Sequence, residues 1–211
     1  MAIPQVEQQH EFVLYTDCDV VFLKPVNWPA IRPKLFAAAP EFHADNWNYF
    51  NSGVMVLNVP AMRASYQVFE AHVRARILDG RWPAYDDQWA LNEVYKGFWE
   101  KLDVRLNWKP YWGYSSAAAI LHFHGPKLNA IEAMLAGRWD LTNPTAIQFS
   151  KMLNGHIDCY LTWLLVLGDQ MQTSDMALAL RLQTAASALL RHRATITGPA
   201  DTSFMNFRMF P

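Results

Sequence analysis

The chain has 211 residues, 52% hydrophobic and 18% charged, with a formal net charge of -1. That balance excludes a disordered chain and a basic nucleic-acid binder, and the length suits one domain with a real core, alone or with a helical extension. Two cysteines, Cys18 and Cys159, are too few for a disulfide framework, and with no secretory signal, membrane-length apolar run or Asn-x-Ser/Thr acceptor the expectation is a cytoplasmic protein.

Phe12 to Tyr15 is a continuous apolar run and predicts a central parallel strand covered on both faces. It leads into Asp17 and Asp19. Residues two apart in a strand share a face, so strand geometry lasting through Asp19 brings both carboxylates to one point past the strand end. Hard oxygen donors there suit a divalent cation; the alternative is two turn-capping carboxylates. Lys34 to Ala39 is a second strand, closed by Pro40. Gly53 to Val59, ending at Pro60, is a third.

Ala61 to Leu78 predicts a helix with Met62, Tyr66, Phe69, Val73 and Ile77 on one face, ended by Gly80. A second helix covers Asp86 to Tyr95, ending at Gly97. Trp82, Trp89, Trp99, Trp108, Tyr111 and Trp112 crowd the next stretch. Most are expected in the core, with one or two offering a sugar ring a flat apolar platform. Ala118 to Phe123 is the last strand. Strands alternating with helices imply an α/β sheet.

From residue 128 the pattern turns helical. Asn129 to Ala136 is a short helix stopped by Gly137, and Thr145 to Leu167 carries Met152, Leu153, Ile157, Tyr160, Leu161 and Leu164 on one stripe. Ser174 or Asp175 caps a further helix through His192, with basic residues at its end to suit the helix dipole. Phe204 to Phe210 is apolar enough to dock somewhere. The expected division is an α/β core over 1–127 and a helical extension over 128–211, available for a partner or self-association.

Four motifs follow the Asp pair in order: Phe50-Asn51-Ser52-Gly53, Asp86-Asp87-Gln88-Trp89-Ala90-Leu91-Asn92, Leu106-Asn107-Trp108 and His122-Phe123-His124-Gly125-Pro126-Lys127. Together they resemble the retaining nucleotide-sugar glycosyltransferases of family 8, which include glycogenin and bacterial lipopolysaccharide galactosyl- and glucosyltransferases. The resemblance runs from about Phe12 to Lys127. It implies a GT-A-like mixed, mainly parallel sheet flanked by helices. It implies that Asp17, Asp19 and His122 bind manganese, or magnesium, and that Asn51, with Ser52 and Gly53, touches the donor sugar. Asp87 and Gln88 lie beside sugar and acceptor, and Lys127, after Gly125, holds the diphosphate. Lys127 follows Gly125 by two positions where the family has three. The family's uridine-binding portion has no counterpart here, so the chain reads as the second half of a larger molecule.

The implied activity is transfer of a hexosyl group from a nucleotide-diphosphate sugar, a UDP-sugar by preference, to a carbohydrate or glycoconjugate hydroxyl with retention. Breaking a sugar–phosphate bond leaves a diphosphate with new negative charge, which a divalent cation stabilises as a Lewis acid. An imidazole ligand favours manganese over magnesium, which prefers oxygen shells. Two other readings share the motifs: a catalytically inactive binding or scaffold subunit, and a nucleotide-sugar hydrolase.

Overall fold

Strand β4 (Phe50–Asn58) organises the first part of the molecule, and its period of two explains how. Met55 and Leu57 point into one apolar cluster with Phe36, Ala38, Met62, Phe69 and Leu91. Val54 and Val56 point into another with Ala37, Ala39, Leu102 and Ile120. A strand with apolar residues on both faces is buried on both, and every residue of β4 but Asn58 is buried. The computed structural model describes residues 3–80 and 87–196. Asp86, Trp82 and the Phe204–Phe210 segment therefore lie outside the described residues.

The described residues divide into two units. One holds the residues up to Trp108 together with Ala117–His122; the other holds Lys109–Ser116 and the residues from Phe123 on. The first unit contains α1 (Ile3–Val6), β1 (Phe12–Thr16), β2 (Val20–Phe22), β3 (Phe36–Pro40), β4, α2 (Val59–Leu78), α3 (Asp87–Val94), β5 (Glu100–Lys101) and β6 (Ile120–His122). One sheet has the order β1-β4-β3-β5, and β2 pairs with β6 in a second.

The architecture is mixed α/β, but the main sheet is not mainly parallel. β1/β4 and β3/β4 are antiparallel; β3/β5 is parallel and two residues long. The 12–16 strand, expected at the centre, takes the outer place in the order beside β4 and is half-buried throughout. The apolar runs Phe12–Tyr15 and Val54–Leu57 are equally long, so run length does not say which strand is central. The β3/β4 ladder also breaks register, from Ala38↔Met55 to Ala39↔Asn51. Ser52, Gly53 and Val54 are thereby released from pairing with β3, and this irregularity falls on the Asn51-Ser52-Gly53 motif.

Helix α2 starts two residues earlier than expected, because Asn58 caps it by accepting from the Ala61 amide at 3.2 Å, with Pro60 in the first turn. Met62 and Phe69 are buried, but Ile77 is 46% exposed, so the apolar face runs past the end of the core.

The second unit contains α4 (Leu128–Leu135), α5 (Pro144–Gly155), α6 (Ile157–Met171) and α7 (Met176–Arg193). The single helix expected over Thr145–Leu167 is two helices. His156 separates them with φ -131° and ψ 33°, outside the helical region, after Gly155. The apolar stripe stays in phase across the break, so periodicity alone does not reveal it. α6 and α7 approach closely at Gly168, where a Cβ would lie 3.1 Å from Gln183 and 3.6 Å from Leu182. Trp163, Leu164, Leu182, Ala186 and Leu189 fill the core of this unit. Asp175 caps α7 by accepting from the Leu178 amide at 2.9 Å. Among the described residues no helix is long and apolar enough to cross a membrane.

Candidate functional site

Asp17 and Asp19 do not share a strand face. β1 ends at Thr16, and Cys18 and Asp19 form a turn into β2. The two carboxylates converge because two ladders flank that turn. On one side Thr16 pairs with Val54, and the Asp17 amide donates to the Gly53 carbonyl at 2.8 Å. On the other, the antiparallel β2/β6 register sets Val20 opposite His122. Asp19, one residue before Val20, therefore lies beside an imidazole from far along the chain. Asp17, Asp19 and His122 each offer one ligand atom, and these atoms lie within 4.8 Å of one another.

His122 is 2% exposed at its side chain, with Nε2 3.2 Å from Asp19 Oδ1. Neighbouring ligands of an octahedral ion with bonds of about 2.1 Å sit about 3 Å apart, so this spacing matches two adjacent positions of one cation. Two carboxylates and a neutral imidazole are a donor set that a divalent metal accepts. The group could hold a metal ion.

Gly53 makes room for the imidazole. A Cβ there would stand 2.1 Å from His122 Cε1 and 2.8 Å from both ring nitrogens. Gly53 lies inside a strand, so space rather than backbone torsion calls for glycine.

Beside this group runs a buried string of amides. The His122 Nδ1 is 2.9 Å from Asn107 Oδ1. Asn107 Nδ2 donates to Asn51 Oδ1 at 2.9 Å, and the Gly53 amide donates to the same oxygen at 3.0 Å. Asn51 Nδ2 donates to Glu41 Oε2 at 2.8 Å and to Gln88 Oε1 at 3.0 Å. Gln88 Oε1 also accepts from the Ser52 amide at 2.9 Å, and Gln88 Nε2 donates to Glu41 Oε2 at 2.9 Å. The register irregularity in β4 frees the Ser52 and Gly53 amides for these bonds. Asn51 uses both acceptor positions and both donors within the protein.

Asp87 is exposed at the start of α3, one residue before Gln88. The Tyr15 hydroxyl donates to Asp17 at 2.5 Å. Burial, then that hydrogen bond and the charges of Asp17 and Asp87, push the Tyr15 phenol well above its ordinary value.

Gly125 and Lys127 belong to the second unit. Gly125 has φ +108°, and a Cβ there would stand 2.6 Å from Met152 Cε. Lys127 precedes α4, its ammonium 5.6 Å from the Phe149 ring centre. His124, in the same motif, lies 3.0 Å from the Tyr111 hydroxyl through Nδ1.

Of the aromatic residues grouped in sequence, Trp99 packs against Phe50 at 5.1 Å and Trp47 at 6.1 Å between ring centres. The backbone of Trp108 bonds both Ile120 and His122, at 3.0 and 2.8 Å, which is how Asn107 is delivered beside the imidazole. Sequence reasoning assigned no role to Tyr15 or Glu41, and named Asn107 only as part of a motif. The available signal was a polar residue between apolar neighbours, Leu106-Asn107-Trp108.

No family model and no curated protein sequence matches the chain. Among solved structures it is similar to an active-site mutant of LgtC, at 19% identity and TM-score 0.48, over 72% of this chain and 64% of that one. It is similar to the galactosyltransferase LgtC in complex with donor and acceptor sugar analogs, at 20% identity and TM-score 0.48, over 72% and 63%. It is also similar to the glycosyltransferase GlyE of Streptococcus pneumoniae TIGR4, at 20% identity and TM-score 0.45, over 58% and 35%. The chain thus spans less than two thirds of the length of the LgtC structures.

Proposed function

We propose that this chain carries the metal and sugar site of a glycosyltransferase that moves a hexosyl group from a nucleotide-diphosphate sugar, a UDP-sugar, to an acceptor hydroxyl with retention. The observation that carries this reading is the convergence of Asp17, Asp19 and His122, remote in sequence, on one point next to the Asn51–Gln88 amides. The ordered motifs resemble family 8 at these same positions.

A divalent cation, manganese by preference for its tolerance of an imidazole, supplies charge neutralisation for the diphosphate leaving group. Asp17, Asp19 and His122 would hold it. Asp87 and Gln88 take the positions beside the sugar and acceptor, with Ser52 and Gly53 along the edge. Asn51 reaches a sugar only by exchanging one of its internal bonds, so its larger part is to hold Gln88 and Asn107 in place. The resemblance assigns Lys127 to the diphosphate. With retention, the departing phosphate takes the proton of the acceptor hydroxyl, and no strong protein base is required.

The test is UDP release from a panel of UDP-hexoses with manganese, with and without acceptor sugars. Metal-dependent release stimulated by an acceptor supports the transferase. Equal release in both arms points to a hydrolase, and no release from any donor contradicts catalysis by this chain.

A further inference from the structure

We infer that Asn107 is a positioning residue that fixes the proton of His122 on Nδ1 and so turns the Nε2 lone pair toward the metal. The inference rests on the metal reading of the site and adds a residue to which no role has been given.

A backbone group decides the polarity of the string. The Gly53 amide can only donate, so the Asn51 atom it meets at 3.0 Å is the carbonyl oxygen. That oxygen also faces an Asn107 side-chain atom at 2.9 Å, which must be the amide nitrogen, because a carbonyl there would set two acceptors together. The remaining Asn107 atom is then its oxygen, 2.9 Å from His122 Nδ1, and it requires a proton on that nitrogen. The far end agrees. The Asn51 nitrogen donates to Glu41, a buried carboxylate that only accepts when ionised. Reversing Asn51 breaks a bond at the backbone and another at the carboxylate, and reversing Asn107 alone sets its oxygen against that of Asn51. One backbone N–H and one carboxylate thus select the histidine tautomer through two amides.

The tautomer matters because a neutral imidazole ligates through the nitrogen without a proton. The Nε2 of His122 is the nitrogen that stands 3.2 Å from Asp19. Ligand histidines are held in this manner by an acceptor on the other nitrogen, and loss of that acceptor costs 10–100-fold in metal affinity. Asn107 is fully buried, and a leucine of similar size in its place leaves no room for a water beside the ring.

The test uses the full chain with nitrogen-15-labelled histidine and long-range proton–nitrogen correlation, recorded metal-free at about pH 8. His122→Gln identifies the signal. In the unmodified protein Nδ1 carries a proton. In Asn107→Leu that proton leaves Nδ1, and manganese affinity by calorimetry falls about 10–100-fold. Asn107→Asp keeps an acceptor toward His122 but loses the donor toward Asn51. Its Nδ1 stays protonated and its manganese affinity holds within about tenfold, even where its melting temperature falls as far as that of Asn107→Leu. A purely structural Asn107 would make affinity follow melting temperature in both variants, and that result overturns the inference. So does a neutral His122 with its proton on Nε2 in the unmodified protein, a measurement that needs no variant to fold. A protonated Nδ1 with no manganese binding leaves the tautomer assignment standing and removes the metal reading.

Discussion

Gly53→Ala tests the site through space alone. A methyl group at Gly53 would lie 2.1 Å from His122 Cε1, whereas carbon atoms rest about 3.5 Å apart or more. The ring must retreat by about 1.4 Å, or the strand must move by as much. The ring is held by Asn107 at Nδ1, its Nε2 stands 3.2 Å from Asp19 Oδ1, and 2% of its side chain is exposed. The strand cannot move freely either, because the Gly53 carbonyl accepts from the Asp17 amide and its own amide bonds Asn51. Either relaxation displaces a ligand, while coordination tolerates about 0.2 Å. Manganese affinity should therefore fall at least about 100-fold, beyond the usual effect of an outer contact. Overpacking should destabilise the metal-free protein by about 1–3 kcal/mol. Calorimetric titration and urea unfolding read the two quantities. A Gly53→Ala protein that binds manganese within about threefold of the unmodified chain would refute the reasoning, because ring and cation could not then share that corner.

Glu41→Leu leaves the Asn51 and Gln88 amides without their buried acceptor and should cost about 2–4 kcal/mol in urea unfolding; a loss under about 0.5 kcal/mol would mean the carboxylate holds nothing. Tyr15 has a raised folded-state pKa, so the stability it contributes is complete below its unfolded value near 10 and is lost as pH rises beyond it. Unfolding measured from about pH 8 to 11 should show that alkaline loss in the unmodified protein and a shallower one in Tyr15→Phe, and identical slopes would contradict it. Lys127→Gln should raise KM for the donor about tenfold or more and leave manganese affinity unchanged; an unaltered KM removes its diphosphate role.

Much of the candidate site was legible because metal ligands are few in kind. An Asp-x-Asp after an apolar run and a histidine in an apolar strand narrow the choice before any geometry is known. The route by which they meet was not legible. Asp19 reaches His122 through a turn and the β2/β6 register, and pairing between remote strands leaves no local trace. The same limit hid Asn107 and Glu41, whose partners lie far away in sequence. In the fold, β4 declared itself by the apolar run Val54–Leu57, with Pro60 shortly after it. β1 looks the same over its few residues, so nothing in its composition separates an outer strand from a central one. The break at His156 was signalled only by Gly155, since the helix stripe keeps its phase through it.

The central claim is that two acids and one imidazole share a cation able to carry a diphosphate. Titrating manganese and then UDP into the intact chain and into the Asp17→Ala, Asp19→Ala double variant tests it directly. The intact chain should bind manganese and bind UDP only with the metal present, and the variant should do neither. Equal binding of manganese and UDP by both proteins would contradict the account.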